Sequence, residues 1–514
     1  MRDTTCQAGA ATRGAAAIGA LAAAALTLGL ALALVPPAAA QSSVTTRLGA
    51  LRFLNGYPDD KTRQALSDEL DFQRAVQSVL WAEPLVNAAL FRNAMRLVGV
   101  SNLGAVITDA RVQPGQEVLT PTQAVVYEST WFDLHDTGPV VYEIPAGPLN
   151  AGIFDAWMRP VQDMGRVGPD GGQGGKYLLL PPDFKGEPPQ GDFHVVPTRT
   201  YNNFTVTRAL LGHQMTPQEG VNLVRRIKVY RLAQADNPPE RTVLMMGDPV
   251  AGGRVFLVNR PRGMDYWVLL HSMLDEETVE ERDLGMRGLL AAIGIEKGRS
   301  FTPDARLSPI LTEAERVGRS MLINEAFDPR HNRQAALYPG TQWMDFAWLL
   351  SVHQDLRTYT DVTGRMIAFY LSTGSQAALD PTVKPVPGVG AAILAACKDR
   401  DGNWLTGQNS YQLRVPKSVP ARDFWSLTVY DTDTRALVAS EQRVPELSSQ
   451  LSGLQFNADG SVDLYIGPKA PGGKESNWIQ TLPGRGWFAY FRLFGPTESF
   501  HDRSWTLPDF QRQR

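Results

Sequence analysis

The chain has 514 residues, with 50 Lys and Arg against 53 Asp and Glu for a formal charge of −3, and no basic run. That balance argues against a dedicated nucleic-acid binder, and the length suggests two or three domains. Of the two cysteines, Cys6 and Cys397, only the second lies beyond the leader expected to be removed, so no intramolecular disulfide is expected.

Residues 1–40 read as a secretory signal peptide. Arg2 and Arg13 give a positive start, Ala15 to Val35 is an apolar run, and Ala38-Ala39-Ala40 offers a cleavage site before Gln41. The expected location is therefore the periplasm or the medium. No second apolar run approaches membrane-spanning length, so no stable membrane insertion is expected after cleavage.

Residues 41–100 form a helical lead. Ser67 is a candidate N-cap, and Leu70, Val76 and Leu80 recur at helical spacing, while Pro84 is expected to end or kink the helix. Residues 101–213 change to short apolar runs such as "PVVYEIP" and "KYLLLPP", punctuated by Gly, Pro and Asp, which predicts an antiparallel β-sandwich. Residues 214–335 turn helical at Thr216-Pro217, with further helices near 265–274, 277–293 and 311–327. Residues 336–514 return to strands, among them "SYQLRVP", "FWSLTVYD" and "GWFAYFRLFGP". The fold class is thus mainly β with a helical insert.

The stretch "GRVGPDGGQGGKYLLLPPDFKG" has the glycines and the Gly-Lys of a phosphate loop. It carries Asp170 and Tyr177 where that motif needs Gly and Ser or Thr, and it leads into a strand instead of a helix. It predicts a turn. The standard nucleophile, zinc and redox motifs are absent, and the seven histidines are scattered. Asp399, Asp401 and Asn403, like Asn457, Asp459 and Asp463, start as calcium loops do but lack the downstream glutamate, so each reads as a hairpin turn. No metal and no cofactor are expected. Cys397, in "ILAACKD", reads as a buried, inert thiol.

The densest polar chemistry lies in "FDAWMRPVQDMGRVGPD". Asp155, Arg159 and Asp163 sit there with Trp157, and Tyr127 precedes them. A carboxylate beside an arginine and a tyrosine suits acid–base work, and the plainer reading is a buried Arg–Asp pair with turn aspartates.

The segments "LTPTQAVVYESTWFDL", "GPLNAGIFDAWMRPVQDMGRVGPDGGQGGKYLLLPPDFKGEPPQG" and "VVPTRTYNNF" resemble the bacterial domain of unknown function 1254. "DRDGNWLTGQNSYQLRVP", "NADGSVDLYIGPKAPGGKESNWIQT" and "FRLFGP" resemble its usual C-terminal partner, the domain of unknown function 1214. The resemblance implies an immunoglobulin-like sandwich, a small helical domain and a jelly-roll-like sandwich. Tyr127, Asp155, Arg159, Lys176, Tyr177, Tyr430, Asn477, Trp478 and Arg492 match the pattern of the two domains. One position departs: relatives carry Asn and Asp shortly before the tyrosine, where this chain has Thr122-Gln123-Ala124-Val125-Val126-Tyr127. A step that used that Asp would be missing here.

The resulting expectation is an exported, soluble protein holding a small or oligosaccharide-like polar ligand between two β domains. A metal-independent hydrolase or lyase on carbohydrate-like, ester or amide substrates is the first reading, and a non-catalytic binding or envelope-structural protein is the alternative. The catalytic candidates are Asp155, Arg159, Asp163 and Tyr127. The binding candidates are Trp157, Lys176, Tyr177, Tyr430, Asn477, Trp478 and Arg492.

Overall fold

The structure, a computed structural model, describes residues 42–108, 119–122, 124–211, 215–246, 260–329, 336–345, 358–371, 386–388, 390–442 and 444–513. The signal segment 1–40 lies outside these residues. The chain divides into two units, Met1–Leu66 and Ser67–Arg514.

In the first unit β1 (Ser42–Thr46), β2 (Gly49–Leu54) and β3 (Tyr57–Pro58) form a small antiparallel sheet, and α1 (Asp60–Leu97) begins. Ser67 is not the cap. Asp59 is, accepting the Thr62 N–H at 2.8 Å, and that bond lowers its pKa.

In the second unit α1 continues past Pro84 without ending there. A mid-helix proline costs about 3 kcal/mol. Here Ala82, Leu85, Val86, Ala88, Ala89 and Leu90 are all buried, and packing on every side of that stretch outweighs the missing N–H.

The next segment builds two sheets. Its elements are β4 (Ala105–Thr108), β5 (Val125–Asp133), α2 (Leu134–Thr137), β6 (Val140–Ile144), β7 (Leu149–Asp155) and β8 (Pro160–Gly165). They continue with β9 (Gly175–Leu180), β10 (His194–Pro197), β11 (Asn202–Leu210), α3 (Pro217–Val224), β12 (Lys228–Arg231) and β13 (Val243–Met246). One sheet has the order β13-β4-β5-β11-β7-β8 and the other β10-β9-β6-β12. Ile107, Phe132, Tyr142, Ile153, Tyr177 and Val229 fill the core between them. Two expectations need correcting. The sheets are mixed, since β10 runs parallel to β9 and β13 parallel to β4. The region expected as a helical insert from 214 supplies β12 and β13 to these sheets, and α3 starts as predicted, with a Thr216/Glu219 capping box and Pro217 in the first turn, and packs on β5 and β11.

Helices α4 (Met264–Glu276), α5 (Leu284–Ala291) and α6 (Leu307–Phe327) share a core with α1 and with α7 (Val362–Leu371), which the sequence placed in the β region. The remaining elements are β14 (Met344–Asp345), β15 (Ala391–Ala396), β16 (Tyr411–Val415), β17 (Ala421–Asp431), β18 (Glu446–Ser448) and β19 (Val462–Gly467). They end with β20 (Trp478–Gln480), β21 (Trp487–Pro496), α8 (Glu498–His501) and β22 (Gln511–Arg512). The sheets β14-β15-β21-β17-β18 and β20-β19-β16-β22 enclose a second core around Trp343, Leu427, Leu464 and Phe491. No helix among the described residues is long and apolar enough to cross a membrane.

Candidate functional site at the seam of two sheets

Strand alternation decides which side chains of β5, β11 and β7 face away from the first β core. Phe132, Ala209 and Ile153 point into it, so Tyr127, Arg208 and Asn150 point outward. The register pairs Tyr127 with Arg208 and Arg208 with Asn150, which lines the three up across neighbouring strands. On the same face Asp163 of β8 pairs with Gly152 of β7. Further along, this face becomes aromatic: Phe204 stacks on Trp131 at 5.6 Å and on Phe154 at 5.3 Å, against the helical core.

The polar end meets the C-terminal five-stranded sheet. There Ser426, Thr428 and Tyr430 of β17 alternate with core residues, as do Tyr490 and Arg492 of β21. The segment Leu119–Thr122 runs between the sheets and is pinned by both. Tyr430 donates to the Pro121 carbonyl at 2.7 Å, and Arg492 Nη2 donates to the Thr120 carbonyl at 2.9 Å. Thr122 Oγ1 donates to Glu446 at 3.0 Å, and the Thr122 N–H donates to the Tyr127 hydroxyl at 3.2 Å. Arg492 also donates to Thr428 Oγ1 and lies over the rings of Tyr430 and Tyr490. Burial opposes its charge, but Tyr430, Tyr127 and Glu446 outweigh that and raise its pKa. Burial raises Tyr430 as well, so its hydroxyl stays a donor.

Arg208 differs from Arg492. Its guanidinium lies over the Tyr127 ring at 5.7 Å, and its Nη1 is buried with no hydrogen-bond partner. Burial lowers its pKa, and nearby Arg492 pushes the same way, against Tyr127 and Asp163. Asn150 is buried, and its Oδ1 also lacks a partner. A donor and an acceptor without partners thus lie at paired positions of neighbouring strands. Tyr127, Asp163 and Arg208 keep partial exposure, whereas Thr428, Tyr430, Glu446, Tyr490 and Arg492 are buried.

The predicted site residues fall into four places. Tyr127, Asp163, Tyr430 and Arg492 converge at the seam. Asp155, Arg159 and Trp157 do not. They form the buried Arg–Asp pair of the plainer reading: Asp155, Trp157 and Arg159 are each at most 1 % exposed. Asp155 and Arg159 do pair, through Nε at 2.6 Å, while Asp155 Oδ1 collects the Trp157 and Arg159 N–H groups, both at 2.9 Å. The rest of the guanidinium grips Glu280, with 2.9 Å from Nη1, which holds Glu280 below its ordinary pKa although burial pulls the other way. Met158, in the left-handed region at φ 60°, closes this turn, and Trp157 packs on Trp81 at 4.6 Å. The group ties the first β region to the loop after α4.

Lys176 is exposed on β9, opposite Glu143. Its neighbour Tyr177 is buried and donates to Asp170 Oδ1, which also accepts the Gly165 N–H, so the glycine-rich stretch is the predicted turn. Asn477 is spent on backbone, bonding the Gln455 N–H and the Gln455 and Asp463 carbonyls. Trp478 donates to the Gly467 carbonyl. These four lie away from the seam, with Tyr177, Asn477 and Trp478 engaged in hydrogen bonds within the chain and Lys176 exposed. Cys397 is buried, donates to the Phe327 carbonyl and is pushed up to about 12 by burial. Among the described residues no group of three His, Cys, Asp or Glu is arranged to hold a metal ion.

Arg208 and Asn150 were missed. Their signal was present in "NNFTVTRAL" and "LNAGIFD", where each continues the outward stripe Phe204–Val206 or Gly152–Phe154 with a polar side chain.

The seam lies between two matched regions. The model described as "Protein of unknown function (DUF1254)" matches residues 105–232, and that described as "Protein of unknown function (DUF1214)" matches residues 390–498. The chain carries DUF1254 and DUF1214 in tandem. Tyr127, Asn150, Asp163 and Arg208 come from DUF1254, and Tyr430 and Arg492 from DUF1214. The crystal structure of the VPA0106 protein from Vibrio parahaemolyticus is similar in fold, with a TM-score of 0.51 at 15% identity over 86% of this chain and 100% of that one. A putative uncharacterized protein from Burkholderia cenocepacia gives a TM-score of 0.39 at 13% identity over 88% and 97%. No curated protein matches the chain.

Proposed function

We propose that this is an exported protein, periplasmic or secreted, that binds a small or oligosaccharide-like polar ligand at the seam of DUF1254 and DUF1214. The supporting observation is the row Tyr127–Arg208–Asn150, partly open to solvent, with two buried polar atoms that no protein group satisfies. We read the DUF1254 sheets as an immunoglobulin-like sandwich and the DUF1214 sheets as a jelly-roll-like one.

If the protein is a hydrolase or lyase, Asp163 is its acid or base and Tyr127 orients the substrate, because these are the catalytic candidates at the partly exposed row. The second reading is non-catalytic binding. It is favoured by Tyr430 and Arg492, whose donors are committed within the chain, to Pro121, Thr120 and Thr428. The test is a hydrolase and polysaccharide substrate panel with the purified mature protein, followed by Asp163→Asn. An enzyme loses at least about 10²-fold in rate with its fold intact. Binding without turnover in wild type supports the second reading, and neither binding nor turnover defeats both.

A further inference from the structure

We propose that the seam ligand carries one carboxylate, anchored by Arg208 with Asn150 as second donor. This rests on the seam being a binding site.

An arginine stays charged in proteins, and its planar fork matches a carboxylate with two parallel N–H bonds. Arg208 interacts with Tyr127 through part of this fork, and its buried Nη1 has no acceptor. Asn150 stands beside it in register, buried, with an amide that turns over to offer its NH2. On the other side the Tyr127 hydroxyl accepts from Thr122 and keeps its own proton to give. Three donors thus converge from adjacent strands. Arg492 adds positive potential from behind while its own hydrogen bonds are satisfied within the chain.

The charge count limits the ligand. Asp163 already faces Arg208, and Glu446 faces Arg492. These four groups already balance, so an added anion is held by the open donors, and a dianion would meet twice the repulsion from Asp163. The site therefore favours a monocarboxylate over phosphate, and over a neutral amide of the same shape, which would have to turn its own NH2 donors toward the guanidinium.

The experiment titrates the mature protein by calorimetry with acetate, propionate and benzoate, with their amides, and with inorganic phosphate. The expected result is a carboxylate bound at least about tenfold tighter than its amide and than phosphate, a preference that Arg208→Gln removes. Asn150→Asp places a carboxylate next to Arg208 without changing size, and should abolish the response to added carboxylates. It carries the test if Arg208→Gln does not fold. Equal binding of amide and carboxylate, or tighter binding of phosphate, with dependence on Arg208 would overturn the carboxylate assignment and leave the seam as a site. Binding that ignores both substitutions, or no binding of any probe, would overturn the inference and count against the seam.

Discussion

Replacing Asp155 by Asn separates structural from chemical roles for the segment whose sequence looks most catalytic. The amide keeps the shape and one oxygen, so it can still accept the Trp157 and Arg159 N–H groups. What it loses is the oxygen that takes Arg159 Nε at 2.6 Å, where an NH2 now opposes an N–H. Removing one partner of a buried ion pair costs about 3–5 kcal/mol when the remaining charge is left alone. Here Glu280 still holds the other two nitrogens, so the loss should fall near 2–4 kcal/mol. Glu280→Gln, at a side chain 21% exposed, should cost less, about 1–2 kcal/mol, and the two losses should not add. Urea unfolding followed by tryptophan fluorescence reads this directly, since Trp157 lies in the same turn against Trp81. Wild-type stability in Asp155→Asn together with lost turnover or binding would refute the structural reading.

Other expectations concern distinct parts of the chain. Burial raises Glu277 to about 7 from 4.5, although Asn202 and Tyr201 donate to it. The fold thus favours its protonated form. That stabilisation is full below about pH 4.5 and is lost as pH rises through about 7, amounting to at most about 3 kcal/mol. Unfolding midpoints measured from pH 4.5 to 8 should show this decline, and Glu277→Gln should flatten it. Gly165 has φ +75°, and a Cβ there would sit 2.2 Å from the Leu149 carbonyl, so Gly165→Ala should cost more than about 2 kcal/mol in the same unfolding assay. Tyr430→Phe removes the bond to Pro121 and should cost about 1 kcal/mol, with faster amide exchange in the Leu119–Thr122 segment. N-terminal sequencing of exported protein should begin at or near Gln41; an intact Met1 in the membrane fraction would contradict export.

Local chemistry was legible in the sequence, and long-range partnership was not. The i,i+4 spacing of Asp155 and Arg159 announced their pair, but Glu280 is far along the chain and made the pair a buried tie. Alternation in "FWSLTVYD" located β17, and the glycines after Gly165 located a turn. The strand β13 was not readable, because four residues gain their identity by pairing with β4. Pro84 misled because burial, which a local rule does not see, overrides helix propensity. The row Tyr127–Arg208–Asn150 depends on the registers of three strands distant in sequence, so the residues that matter most at the seam gave only a polar interruption in an apolar stripe.

The most direct test of the seam is hydrogen exchange of the mature protein with and without the tightest-binding compound from the substrate and carboxylate panels. Added protection is expected in the seam segments 119–122, 124–127, 149–155, 202–210 and 487–496, and none in Arg208→Gln. Protection confined to other surfaces, or identical protection in Arg208→Gln, would contradict this expectation.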